Sequence, residues 1–540
     1  VSPPSLSRRR ALSLGAGAAG GLLLGRARAD GAVPGAFLIP EAAERGHRVR
    51  QPWAGGAGRP ARADVLIVGG GVAGLAAAWR LRAAGRRPVV AELADQPGGT
   101  SAWGTGPLGG HALGAHYVTL PNPGNRPMRR LLHALGVIEG FEPAPGPDPL
   151  AGRPRYGARH LCLAPQERLW EGGRWAEGLW PETDTRDDEA ERDAFLAVVA
   201  GWRAFRGDDG RPAFTIPVAL ASADPRARAL AERSFAELLD ALGLRSPVLR
   251  AWLEYGTKDD YGTTLADTSA WAGLHYHCAR APDPADDRDL GTEVLTWPEG
   301  NGWLVQGLLK LGTPELWSGQ TARAVDAARR RAVLEGPAGE LTEVAAEAIV
   351  LAVPHAVRQR LLGEPLTPGP DAAPWRVGVL HLDGPLAARG VQMAWDSVIA
   401  GNADLGYISS SHQRATYGGP TVLTWYEALT GPPAAARRAL AARGLAEEQA
   451  HVLEALAPAH ADLRARLRRL DVLHWGHGTV RPVVGLHRPG ALDALWAPRD
   501  GVVAAHTDLS GLSLFEEALW HGVTAAESLL RPAERGEGWT

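Results

Sequence analysis

Three glycines, Gly69, Gly71 and Gly74, stand in the spacing GxGxxG directly after the apolar run Asp64-Val65-Leu66-Ile67-Val68. That spacing suits the pyrophosphate of a dinucleotide. The first glycine permits a tight turn, the second lets phosphate approach the backbone, and the third lets a following helix pack against the strand. The start of that helix offers free N–H groups and the positive end of its dipole. A second apolar run, Pro88 to Ala91, ends in Glu92. A carboxylate there accepts hydrogen bonds from ribose hydroxyls and disfavours a 2′-phosphate. A GxGxxG alone is weak evidence, whereas strand, glycines, helix, second strand and acid in register are strong.

Chemistry on a substrate needs other groups. The densest run is Trp252-Leu253-Glu254-Tyr255-Gly256-Thr257-Lys258-Asp259-Asp260-Tyr261-Gly262, followed by Trp271, His275, Tyr276 and His277. Aromatic faces beside carboxylates suit a cationic ligand. A helix end capped by acids, with its aromatics in the core, accounts for the same residues more plainly. Lys258, Asp260 and Tyr261 are the candidate catalytic residues here. His275 and His277 alternate, as residues sharing one face of a strand do. Cys162 and Cys278 form no CxxC and no metal-ligand cluster, and HExxH and GxxxxGK[ST] are absent. A single disulfide and two unrelated buried thiols both stay open.

Gly98-Gly99 follows Glu92 closely, and Leu113-Gly114-Ala115-His116-Tyr117-Val118 comes further on. With the GxGxxG unit this resembles the amino-terminal FAD unit of the flavin amine oxidase and phytoene desaturase superfamily. The resemblance implies FAD, with Gly98 and Gly99 meeting the flavin side of the nucleotide. Thr100 stands where amine oxidases usually carry arginine. Trp297 to Val305 resembles the family's glycine-containing lead into a helix. Val325 matches the position whose backbone contacts the adenine, and Ile349-Val350-Leu351-Ala352-Val353-Pro354 matches a further strand and its stop. In Val502 to Asp508, the resemblance implies that Asp508 meets the ribityl chain or pyrophosphate, although Thr507-Asp508 replaces the usual Gly-Glu or Gly-Asp. A helix from about Leu514 to Leu530 would then face the isoalloxazine and stabilise a reduced, anionic flavin.

The strings DDYG from Asp259, SAWAGLHY from Ser269, LGYISSSHQ from Leu405 and DLSGLSLFEEA from Asp508 most resemble an exported bacterial subgroup of FAD-dependent oxidoreductases. Amine oxidase relatives place an aromatic wall just before the last flavin segment. The run His474 to Pro482 occupies that place, which implies Trp475 as the wall and His477 as a proton acceptor; a structural turn is the other account, and His412 has the same standing. Those enzymes also usually hold a lysine near flavin N5, about thirty residues after the Ala-Val-Pro strand. Here 375–386 contains none. No cysteine stands near the carboxy-terminal flavin segment, so the FAD is expected to be non-covalent.

The elements that must position these residues interleave along the chain. The resemblance implies an α/β protein: a discontinuous Rossmann-like FAD-binding domain with a mixed α+β, amine oxidase-like substrate domain. The flavin domain is expected from 63–122, 297–362 and 485–531, and the substrate domain from 123–296 and 363–484. Both substrate stretches read largely helical, as at Ala227–Leu242 and Ala434–Leu470. Residues 30–62, rich in Gly, Pro, Ala and Arg, read as a linker.

The 540-residue length and 45% apolar content support a large core and more than one domain. Residues 1–29 hold five arginines and no acid, with Arg8-Arg9-Arg10, an apolar stretch from Ala11 to Gly25 and an A-x-A site at Ala27-Arg28-Ala29. They read as a twin-arginine-type signal peptide, implying a periplasmic or secreted protein. Without them, 57 basic and 60 acidic residues become 52 and 60. An acidic balance argues against nucleic acid as a partner, and no segment suits a stable membrane span. Lysine occurs only at Lys258 and Lys310. The expected function is a FAD-dependent oxidoreductase that uses a small-molecule substrate and an electron acceptor, dioxygen or another. The substrate is expected to be an amine-type small molecule, oxidised by hydride transfer to flavin N5. The alternatives are a desaturase- or isomerase-like enzyme on an apolar substrate and a non-catalytic flavin-binding protein.

Overall fold

The structure, a computed structural model, describes residues 33–540 except 39, 52, 54, 57, 145, 147, 183, 281–292, 415–417, 496–498, 500 and 537. The expected signal peptide lies outside the described residues. The expected linker holds regular elements: Phe37 bridges to Val472, Pro40–His47 is helical, and the first sheet strand begins at Arg59.

The strand Arg59–Val68 ends in four fully buried apolar residues. Val65 and Ile67 pack toward the helix Val72–Ala83, and Leu66 and Val68 toward the opposite face. Burial on both faces is why the run is continuously apolar, as central parallel strands are. It pairs in parallel with Pro88–Ala91 on one side and Leu341–Leu351 on the other. Glu315–Trp317 and Val502–Ala504 extend the two edges, also in parallel. An antiparallel hairpin, Thr321–Asp326 and Arg331–Glu335, joins the first half of Leu341–Leu351. The five parallel strands therefore come from three separate stretches of chain. Helix Val72–Ala83 packs against Gly302–Gly312 and Phe515–Leu529 on one face. Small residues set the last contact, because a Cβ on Gly522 would overlap the Ala73 carbonyl oxygen.

A second seven-stranded sheet runs in the order Leu467–Val480, Ala372–Leu382, Thr421–Ala428, Tyr407–Ser409, Asp396–Ile399, Glu167–Glu171 and Arg174–Glu177. Only the Asp396–Ile399 and Glu167–Glu171 pair is parallel. Five of these strands lie in 363–484, which corrects the expectation of a largely helical stretch. Within Ala434–Leu470 the helices Pro433–Ala442, Leu445–Leu456 and Leu463–Arg466 give way to a long strand that begins at Leu467. Thr421–Ala428 is buried along its whole length, so it lacks the alternation that separates strand from helix in sequence.

Helices Arg186–Ala204, Phe235–Ala241, Pro247–Tyr261 and Ala270–Cys278 surround a core that includes Phe195, Phe235, Leu253 and Trp271. Side chains of Thr185, Ser234, Ser246 and Ser269 cap their first turns. Gly262, at φ 62°, ends the third of them in the left-handed conformation. His275 and His277 lie on the last helix, so they face different directions rather than sharing a strand face. Among the described residues, no helix is long and apolar enough to cross a membrane, and no three His, Cys, Asp or Glu side chains are placed to hold a metal ion.

Candidate functional site

The glycine loop is built at the end of strand Arg59–Val68. Gly69 takes φ 105° and donates its N–H to Ala91 O at 2.9 Å. A Cβ there would overlap Ala352 O, and one on Gly74 would overlap Gly69 O. Gly71 differs: its backbone is extended, and a Cβ would meet nothing within 4 Å. Gly98 donates to Gly70 O at 2.9 Å, which brings Gly99 against Gly71. The two glycine pairs, distant in sequence, thus flank one open groove at the start of helix Val72–Ala83, which has no side-chain cap.

Glu92 closes the groove. Its Oε2 accepts Gly70 N–H at 2.6 Å and its Oε1 accepts Ala94 N–H at 2.8 Å. Burial pushes its carboxyl up, against the pull of those amides. Each carboxylate oxygen has a second lone pair free for a ribose hydroxyl. Val325 is buried in the hairpin beside the sheet. Asp508 lies just past strand Val502–Ala504, where its Oδ2 accepts His355 N–H at 2.7 Å and its Oδ1 stands 3.1 Å from His506 Nδ1. It ties together the ends of two neighbouring parallel strands. An open glycine cradle, an uncapped helix start and a carboxylate at the second strand end fit the pyrophosphate and ribose of FAD.

The segment Leu113–Tyr117 leads from this groove to a second site. Ala115 donates to Thr100 O at 3.1 Å, just past the second glycine pair, and Asn301 Nδ2 donates to Tyr117 O at 2.9 Å. Trp475 donates from Nε1 to Leu113 O at 2.7 Å, which sets its ring against this segment. His116 donates from Nδ1 to Gly114 O at 3.0 Å, and its ring packs against Tyr426 and Trp395. Burial lowers His116 to about 4, so it is neutral near pH 7 with Nε2 as an acceptor.

Beyond His116 lies a polar-aromatic cluster. Tyr117, Tyr255, Asp259, Tyr276, Arg280 and Glu167 keep partial exposure, yet burial is the largest influence on the titration of each. Asp260 forms an ion pair with Arg280 and accepts Tyr117 Oη–H at 3.3 Å. Arg280 also donates to Tyr117 Oη at 2.6 Å and lies over the Tyr276 ring at 4.1 Å. Opposite, Asp396 Oδ2 accepts Tyr255 Oη–H at 2.8 Å and Tyr426 Oη–H at 3.5 Å. Burial and the neighbouring Glu167 charge push Asp396 up to about 7, against those hydrogen bonds.

Of the five candidate catalytic residues, the structure brings Asp260 and Trp475 to this region. The other three fall elsewhere. Lys258 pairs with Glu254 at 3.0 Å and lines a separate cleft of about 420 Å³ with Arg376, Glu427 and Arg443. Tyr261 is fully buried and donates to Ala272 O at 3.2 Å. His477 is exposed near Arg437; extra residues opposite Ala373–Trp375 bulge the strand between it and Trp475. His412 bonds Leu163 O at 2.7 Å. Sequence reasoning missed Asp396, Glu167, Tyr426 and Arg280. Glu167 shares its strand with Arg168 and Glu171, and Asp396 heads a strand of four residues, so neither stood out in the sequence.

Residues 64–243 match the family model of FAD-dependent oxidoreductases. A stretch of 151 residues is 31% identical to the hydroxyneurosporene desaturase of Rhodobacter capsulatus, and covers 28% of this chain and about a quarter (24%) of that protein. Among solved structures, putrescine oxidase bound to putrescine is similar at TM-score 0.62 and 17% identity, covering 87% of this chain and 99% of that one. Cyclohexylamine oxidase from Brevibacterium oxydans follows at 0.58 and 16%, covering 86% and 98%. A fatty acid isomerase from P. acnes stands at 0.58 and 14%, covering 87% and 99%. Residues 64–243 thus match a FAD-dependent oxidoreductase domain, and the fold of the chain is similar to that of putrescine oxidase and cyclohexylamine oxidase.

Proposed function

We propose that this protein oxidises an amine-type small molecule in the pocket bounded by Tyr117, Tyr255, Tyr426, Asp259 and Asp260. FAD, when bound, would supply the two-electron acceptor for the hydride released as the C–H bond next to nitrogen breaks and a C=N bond forms. The observation that carries the reading is the run from the glycine groove through residues 113–116 to a pocket of tyrosine hydroxyls and carboxyls. Tyrosine faces and carboxylates favour a cationic ligand. His116 offers a neutral ring nitrogen that accepts a hydrogen bond from an incoming amine, and Trp475 holds segment 113–116 in place. A substrate that is wholly apolar would leave the buried Asp396 Oδ1 without a partner, which opposes the desaturase-like alternative.

Non-covalent FAD is part of this reading: Cys162 and Cys278 are both free, and burial pushes both thiols up, so neither is a ready nucleophile. Export through the twin-arginine route and turnover with dioxygen or another acceptor also belong to it. The test is anaerobic mixing of the purified, FAD-loaded protein with primary amines, amino acids and polyamines, read as loss of flavin absorbance. Bleaching by at least one of them is expected. If none bleaches the flavin, the amine reading is wrong; bleaching by an unsaturated apolar compound instead would favour the alternative.

A further inference from the structure

Helix Val72–Ala83 offers a phosphate little beyond its own backbone. From Val72 to Trp79 it carries no charged or polar side chain, apart from the tryptophan ring itself, and no side chain caps its start. A pyrophosphate is dianionic, so a donor from another element strengthens its hold at a helix start. Helix Phe515–Leu529 is placed to supply one. Its Gly522 lies so close that a Cβ there would overlap Ala73 O, in the first turn of Val72–Ala83. The residue before that glycine is His521.

The surroundings of His521 tie it to the glycine groove from the other side. The charged or titratable groups that act on it across space are His506 and Asp508, just past strand Val502–Ala504. Asp508 in turn accepts His355 N–H, three residues after Ala352, whose carbonyl oxygen a Cβ on Gly69 would overlap. His521 Nε2 is buried and has no hydrogen-bond partner among the described residues. The Glu517 carboxyl, one turn back on the same helix, stands 4.0 Å away, beyond hydrogen-bond distance. Burial lowers His521 to about 4, so near pH 7 its ring is neutral and donates through one nitrogen. A buried ring nitrogen without a partner is costly, and a phosphate oxygen set against it removes that cost.

Resting on FAD as the occupant of the glycine groove, we infer that His521 is a phosphate ligand of the cofactor, donating Nε2–H to the pyrophosphate. The test titrates FAD into the apoprotein of wild type, His521→Leu and His521→Gln, read as the change in flavin fluorescence. The thermal midpoint of each apoprotein checks its folding. The Leu variant loses the donor and should bind FAD about tenfold more weakly or worse. The Gln variant keeps an N–H at a similar reach and should stay within about threefold of wild type. Equal affinity in wild type and the Leu variant, or equal loss in the Leu and Gln variants, overturns the assignment. Should the Leu variant not fold, wild type carrying nitrogen-labelled histidine decides by magnetic resonance. The Nε2 signal missing from the Gln variant should move when ADP is added, and a signal that stays in place overturns the assignment. If wild type binds neither FAD nor ADP, the FAD site falls too; if all three proteins bind FAD alike, only the role of His521 falls.

Discussion

The glycines of one motif carry separable jobs. Gly69 and Gly74 are required by the fold itself, since a Cβ at either overlaps a backbone carbonyl. Gly71 is under no such limit, because a Cβ there would meet nothing within 4 Å. An aspartate at position 71 would cap helix Val72–Ala83 and favour its dipole while repelling a pyrophosphate. Gly71→Asp is therefore expected to keep or raise the thermal midpoint of the apoprotein and to lose flavin absorbance on purification. Gly74→Ala should lower the midpoint itself. Glu517 offers a pH test. It is fully buried in the first turn of helix Phe515–Leu529, accepts Val218 N–H at 2.7 Å, and is pushed by burial up to about 8 from an ordinary 4.5. The fold accommodates the neutral form, so this contribution to stability is full below about pH 4.5 and lost as pH rises through about 8. Glu517→Gln should lose less thermal stability than wild type between about pH 6 and about pH 9, measured by calorimetry.

At the scale of elements, helix Pro247–Tyr261 shows how consecutive residues are sent to different tasks. Lys258 faces the surface cleft, Asp259 the pocket, Asp260 the Arg280 pair and Tyr261 the helical core. The helical step of about 100° per residue does this without any special geometry. Two ion pairs on this helix should then differ in worth. Removing Asp260 strands the Arg280 guanidinium in the interior, and Asp260→Ala is expected to cost about 3–5 kcal/mol. Lys258→Ala breaks only a partly exposed pair one turn apart and should cost about 0.5 kcal/mol or less. Denaturant titration of both variants checks the ratio. Equal effects would mean that the Asp260–Arg280 pair is not desolvated as described.

At the scale of the whole molecule, neither unit is continuous in sequence. The strand Glu167–Glu171 pairs with Asp396–Ile399, and the nucleotide sheet draws on stretches around residues 59–91, 315–351 and 502–504. Contacts of such high sequence separation must form together. The fragment 123–296 expressed alone lacks the sheet its strands complete, and it should show little cooperative unfolding by circular dichroism. Since the sheet that carries the glycine groove is itself assembled from these separate stretches, FAD should raise the thermal midpoint of the entire protein in one transition.

The nucleotide half was legible in the sequence because its requirements are local. A glycine needed for a turn, an apolar strand and an acid at a fixed spacing lie within thirty residues of one another and leave a pattern in types and intervals. The substrate half was legible only in part. Tyr255, Asp259 and Asp260 stood out as a dense run, but which of them faces a cavity depends on what packs against each side of one helix. Lys258 and His477 carried suitable chemistry and were turned elsewhere by an ion pair and a strand bulge. Asp396, Glu167 and Arg280 gave almost no local signal. Their roles arise from strand register and from a sheet assembled across more than two hundred residues of chain. The sequence alone determined which cofactor chemistry the chain is built for. Tertiary structure alone decided which carboxyls meet, because desolvation and charge depend on neighbours in space.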